Sequence, residues 1–298
     1  MKKILHILIF LLLCTALALA QGSSTGSSYL SLPLSARTAS LGEATVADPR
    51  NFASSLLNPA NLSSDGPATI TLSHSQWIQG IQTEFGGTSI PLSFGTVGFA
   101  VTNTNISDIE IREQPGSPIG TFNAHFAAIH LSFARTVLDA VSVGGSVKYL
   151  YEKLYVDETT GYGVDLGALY RTPFEGLTAG VSVTNLGRLR QFRSEASQLP
   201  SMGRIGGTYG FTLGEFAFTV NAAGAKDLHR SDAHAQVGVE TIYDSALAVR
   251  LGYQTGYESR GLSAGLGFHF SFVRVDYAYL PFSLGLGDAH IFSLGFRF

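Results

Sequence analysis

From Ala68 to Phe298 the chain alternates apolar residues with small or polar ones, and that two-residue period decides what it can fold into. Successive side chains of a strand point to opposite faces, so each such run is an amphipathic strand. In the last run Phe292, Leu294, Phe296 and Phe298 share one face, while Ser293, Gly295 and Arg297 share the other. In a soluble sandwich the apolar face looks inward. In an outer-membrane barrel it looks outward at lipid, and the polar face lines the lumen.

The polar faces favour the barrel. In the fifth candidate strand Val141, Val143, Val147, Tyr149 and Tyr151 oppose Ser142, Gly144, Ser146, Lys148 and Glu152. Asp165, His234, Glu240, Arg250, His269, Arg274, Asp276 and Arg297 also fall on polar-and-glycine faces. Burying so many charges in a soluble core costs several kcal/mol each unless they are paired. A hydrated lumen removes that difficulty, so a wet lumen lining is expected. Gly163, Gly167, Gly252, Gly265 and Gly267 on these faces leave room for something inside. Tyr151, Tyr170, Tyr253 and Tyr279 lie near strand ends, where aromatic girdles belong.

Alternation and turn residues give about fourteen strands. These are Thr69 to Gln76, Ile81 to Ser89, Phe94 to Thr102, Phe122 to Ala134, Val141 to Lys153, Thr160 to Arg171 and Leu177 to Thr184. Met202 to Phe211, Glu215 to Ala223, Asp232 to Ile242, Ala246 to Gln254, Leu262 to Phe270, Phe272 to Leu280 and His290 to Phe298 complete them. Tight connections follow the even strands. Longer ones follow odd strands, chiefly Asn103 to Thr121, Gly187 to Ser201 and Pro281 to Ala289, as periplasmic turns and external loops alternate. The first hairpin, near Ile78 to Gly80, is an exception.

Composition agrees. Only 14% of residues are charged, against about 25% in ordinary soluble domains. No window after residue 20 reaches the ~20 apolar residues of a spanning helix, so a membrane would be crossed by strands. A net charge of -3 and the lack of a Lys/Arg run argue against a nucleic-acid partner. Lys2 and Lys3, the apolar run Ile4 to Leu19 and the small-x-small Ala18-Leu19-Ala20 form a secretory signal peptide cleaved after Ala20. The lone cysteine, Cys14, lies within it, so neither a disulfide nor lipidation is expected. The organisation expected is a signal peptide (1–20), a plug or lid (21–67) and an outer-membrane barrel (68–298) of a Gram-negative bacterium. In class it is an all-β transmembrane antiparallel β-barrel with a short helix in its amino-terminal plug.

Gln21 to Pro67 lacks the alternation. Tyr29 to Leu34 reads as extended and Ser35 to Gly42 as a small-residue turn. Asp48-Pro49 reads as a helix start, with Phe52, Leu56 and Leu57 on one face until Asn58-Pro59 stops it.

The search for chemistry gives little. Asp232, His234, Gln236 and Glu240 share an inward face, with His269 two strands on, and a hydrolase or metal site is conceivable there; polar-in alternation accounts for the same residues. His74, His125, His130 and His290 are scattered near strand ends without metal-ligand spacing. No catalytic, cofactor or metal residue is assigned, and the chain is expected not to be an enzyme.

Ala36-Arg37, then Leu41-Gly42, Asp48 and Asn58-Pro59-Ala60 with Leu62, resemble the amino-terminal signature of the PorV/PorQ family, akin to FadL-type transporters. Val141 to Tyr149, Asp165 to Pro173, Val183 to Gly187 and terminal Phe298 add to the resemblance. It implies a fourteen-stranded outer-membrane barrel with an amino-terminal segment inside, surrounded by outer-membrane lipid. It also implies an accessory role in type IX secretion, with secretion-system subunits or exported cargo as partners. The alternative is a FadL-like channel for hydrophobic small molecules, gated near Asn58-Pro59-Ala60. Phe292, Leu294, Phe296 and Phe298 resemble the terminal signal read by barrel-assembly machinery.

Overall fold

The computed structural model describes residues 27–63, 66–190 and 197–298. The expected signal peptide and the start of the expected plug segment lie outside the described residues.

Fourteen strands form one closed barrel. The first seven are β1 (Thr69–Gln76), β2 (Ile81–Leu92), β3 (Gly95–Ile111), β4 (Gly120–Leu138), β5 (Val141–Leu154), β6 (Asp157–Arg171) and β7 (Leu177–Leu189). The others are β8 (Met202–Leu213), β9 (Phe216–Asp227), β10 (Ala233–Tyr243), β11 (Leu247–Gln254), β12 (Leu262–Phe270), β13 (Val273–Pro281) and β14 (Asp288–Arg297). Each pairs antiparallel with its neighbours, and β14 closes on β1 from Thr69↔Arg297 to Gln76↔His290. Closure removes both sheet edges, which is what a strand-built membrane span requires.

All the even-to-odd connections gather at one end, here the turn end. The β10–β11 turn there places Asp244 and Ser245 both at positive φ, the backbone of a tight hairpin whose twist matches its strands. The odd-to-even connections form the loop end. The Ile78–Gly80 hairpin belongs to it as a single 3-10 turn, so the strand count holds.

The faces sort as the alternation requires. Leu72 is 46% exposed on the outer surface, and its neighbour Ser73 is 7% exposed in the lumen. Phe292, Leu294 and Phe298 also point outward and exposed, with Phe296 half-buried beside them. Two expected loops differ. The stretch Asn103 to Thr121 is mostly ladder, because β3 runs to Ile111 and β4 starts at Gly120. Part of Gly187 to Ser201 turns inward, burying Leu199 and Ser201; residues 191–196 of it lie outside the described residues.

The described amino-terminal residues, 27–63, occupy the lumen as short helical pieces. Tyr29 to Leu34 is not wholly extended, since Ser28–Ser31 makes a 3-10 turn. Ser35 to Gly42 is not a turn but α1 (Ala36–Ser40), whose cap Ser35 accepts from the Thr38 amide. The next helical piece starts at Phe52, not at Pro49, because Asn51 and not Asp48 supplies the capping side chain. A third, Pro59–Leu62, is capped by Asn58. Each is too short to carry a helical periodicity, so Phe52 faces the turn end while Leu56 and Leu57 line a cavity further in. Packing divides accordingly. Ala36 and Ala39 meet Leu280 and Ile291, whereas Phe52 and Leu62 meet Phe85, Ala100 and Ala134.

Candidate functional site

The lumen charges meet partners instead of water. Arg37 projects from α1, and its Nη2 donates to Asp48 Oδ2 at 2.8 Å and to Glu240 Oε2 at 2.7 Å. Its Nε donates to Glu240 Oε1 at 2.9 Å. Glu240 also accepts from Arg250 Nε at 2.6 Å, its register partner on β11. Arg250 then reaches past β12 to Asp276 on β13, with Nη1 2.8 Å from Oδ1. It passes over Gly267, where an added Cβ would stand 2.5 Å from Asp276 Oδ1 and 2.7 Å from Arg250 Nη2. Arg274 adds a contact to Asp276 at 3.0 Å, and Arg50 closes on Asp48 at 2.7 Å. The expected wet lining is therefore corrected. Arg37, Asp48, Glu240, Arg250 and Asp276 are each no more than 2% exposed, and each is ion-paired to another member of the set.

The network ties the plug to the wall, since Arg37, Asp48 and Arg50 belong to the one and Glu240, Arg250, Arg274 and Asp276 to the other. Burial alone would raise the Asp48 carboxyl, but the Arg37 and Arg50 guanidiniums overcome it and hold the group well below the usual carboxylate range. Burial likewise opposes the Arg37 charge, and Asp48 and Glu240 more than offset it. The sign follows. A depressed folded-state pKa contributes stability that is fully present above the unfolded value of about 4 and is lost as pH falls below it. Proteolysis of residues 27–63 across a pH series is expected to stay slow at neutral and mildly acidic pH and to accelerate only below about pH 4. Acceleration near pH 6 would contradict this account of Asp48.

Asn58-Pro59-Ala60 seats the other side of the plug. Asn58 Oδ1 accepts from the Ala60 amide at 3.1 Å, and its Nδ2 donates to Val46 O at 2.8 Å and, across the gap, to Ala168 O of β6 at 3.2 Å. The approach needs glycine on the wall. A Cβ at Gly167 would fall 1.9 Å from Asn58 Oδ1, and one at Gly144 would fall 2.5 Å from the Pro59 carbonyl carbon and Ala60 nitrogen. Leu41 and Gly42 pack in the same way against Gly238 and Gly252. Leu62 packs at Gly98.

A second buried cluster lies closer to the loop end. Lys148 Nζ is 2.9 Å from Asp165 Oδ1 and also donates to Asn185, while Asp165 accepts from the Asn185 amide at 2.7 Å. Glu152 accepts from Ser27 of the plug. His130 is in the middle of β4 and buried in the lumen, not near a strand end. At the loop end Arg260 lies over Tyr257 at 4.1 Å and over Trp77 at 5.6 Å, and 3.4 Å from Glu43 of the plug. His234 stacks on Tyr257 at 3.9 Å.

The residues weighed for hydrolysis are thus dispersed. Asp232 is exposed beside β10, His234 is in the loop-end stack, Glu240 is in the ion network, and His269 is at the turn end. Arg297 is on the inner face but exposed at the turn-end rim. Arg50 and Arg260 went unnoticed in the sequence. The cation two residues after Asp48 was the available sign for Arg50; Arg260, in a loop, had none.

A solved structure of CymD, a monoaromatic hydrocarbon channel, superposes over 89% of this chain and 97% of its own, with TM-score 0.62 and 13% identity. By fold, this is an outer-membrane barrel. A deltaS2 mutant of TodX, also a monoaromatic hydrocarbon channel, covers 88% of this chain and 96% of its own at TM-score 0.61 and 11% identity. The toluene transporter TodX of P. putida covers 83% and 94% at TM-score 0.55 and 11% identity. At such identities the likeness is one of fold. The chain matches no protein-family model and no curated protein, so the PorV/PorQ resemblance rests on its short motifs alone.

Proposed function

We propose that this protein is a gated outer-membrane channel for small apolar molecules, closed by its amino-terminal segment. The observation that carries the reading is how that segment is held. Among the described residues, no ladder hydrogen bond joins residues 27–63 to the wall; ion pairs, side-chain hydrogen bonds and packing into glycine gaps hold them. Such a plug can shift without breaking the barrel. Leu30, Leu32, Leu34, Leu56 and Leu57 give an apolar side to a small cavity of about 40 Å³ between plug and wall, where Glu43, His130, Lys148 and Arg204 form the polar side. The fold shared with two hydrocarbon channels supports the same reading.

Uptake of radiolabelled toluene by cells lacking other such channels tests it. Expression of the protein is expected to raise the uptake rate severalfold. No rise, with this protein correctly inserted, would sink the proposal.

The presence of residues 27–63 inside the lumen supports a second reading, a non-enzymatic accessory of the PorV/PorQ type that works through its outer surface and the long β3–β4 hairpin. Deleting the gene and measuring surface-exposed secreted cargo separates the two. Unchanged cargo would eliminate the accessory role.

A further inference from the structure

At the turn end the plug and the wall leave a chamber of about 430 Å³. Its charge is one-sided. The ion network beside it has four guanidiniums (Arg37, Arg250 and Arg274, with Arg50 42% exposed) and three carboxylates (Asp48, Glu240 and Asp276), a surplus of one positive charge. Arg297 lines the same chamber from the inner face of β14, with no side-chain partner among the described residues.

Donors are left over as well. Arg37 lines the chamber and is 2% exposed, yet its Nη1 has no hydrogen-bond partner. His269 stands on the chamber wall beside it. A buried N–H without an acceptor carries its full desolvation cost, and a guanidinium carries more, so an incoming anion would meet donors already stripped of water. Pro49, Phe52, Leu62 and Ile242 give the same space apolar walls.

We infer that the turn-end chamber is a binding site for a small organic carboxylate with an apolar body. Its carboxylate accepts from Arg37 Nη1 and Arg297, and its body lies against Phe52, Leu62 and Ile242. Guanidinium forks match carboxylate geometry, and the apolar walls would leave the remaining oxygens of a phosphate poorly solvated. The site holds whether or not the barrel conducts, since the evidence for it is a charge surplus and unpaired donors, not an open path.

Isothermal titration of the full-length protein in detergent micelles with benzoate, benzyl alcohol and inorganic phosphate tests the inference. Benzoate is expected to bind at least about tenfold more tightly than benzyl alcohol, the size of effect a charge-assisted hydrogen bond gives, and to weaken as salt is raised. Arg297→Gln, at an exposed rim position outside the network, is expected to lower benzoate affinity by about threefold to tenfold. Equal binding of benzyl alcohol, equal or tighter binding of phosphate, or an unchanged benzoate affinity in Arg297→Gln would each overturn it. Should that variant fail to assemble, the salt dependence of benzoate binding to the native protein decides, and its absence overturns the proposal. The uptake assay with toluene is independent of every one of these outcomes.

Discussion

Glu240→Ala is expected to release residues 27–63 from the wall while the barrel stays closed. Glu240 is the wall carboxylate that Arg37 reaches with two nitrogens, and Arg250 donates to it as well. Without it four guanidiniums are left with two carboxylates, and two of the four, Arg37 and Arg250, are almost wholly buried. Removing one member of a buried, paired set costs about 3–5 kcal/mol, because the partners keep their desolvation and lose their counter-charge. The penalty acts on the plug, since the β10 ladders to β9 and β11 are made by backbone. Limited proteolysis of assembled protein is expected to cut within residues 27–63 at a rate raised by two orders of magnitude or more, with the heat-dependent gel shift of the folded barrel kept. A plug as protected as in the native protein would show that the network is not what holds it.

Gly144→Val is expected to lift the opposite side of the plug. The new Cβ would stand 2.5 Å from backbone atoms of Pro59 and Ala60, which no rotamer change can move. Overpacking of this kind costs about 1–3 kcal/mol and sometimes more. Either β5 bows outward or Asn58 to Leu62 withdraw, and the second is easier because closed ladders hold β5 on both sides. Gly210→Ala is the matched control, since a Cβ there would meet only Phe218 O, at 3.8 Å. Protection of residues 58–63 against protease is expected to fall in the valine variant and to stay unchanged in the control. Equal protection in both would refute the fit assigned to Gly144.

The barrel was legible in the sequence because every strand repeats the same two-residue contrast, and the tight turns mark where each one reverses. β1 and β12 end where that contrast ends. β3 runs further, because the outward residues Asn103 and Asn105 are polar and read as loop although the ladder continues beneath them. In the plug, Ser35, Asn51 and Asn58 each cap a piece of four or five residues, and pieces that short leave no periodic trace. The inward charges were visible as a set on β10, β11 and β13. Their partners were not, because the depth at which Arg37 and Asp48 enter the lumen depends on where Gly144, Gly167, Gly238 and Gly252 let the plug backbone approach. Sequence reasoning therefore supplied a wet lumen where folding supplies counter-ions.

The central claim is that residues 27–63, latched at Glu240, close this lumen. Ion conductance of single barrels in planar lipid bilayers tests it most directly, with native protein and Glu240→Ala measured side by side. Native barrels are expected to insert without sustained current, and the variant to give stable, channel-sized steps. Steady conductance through the native barrel, equal to that of the variant, would contradict the claim.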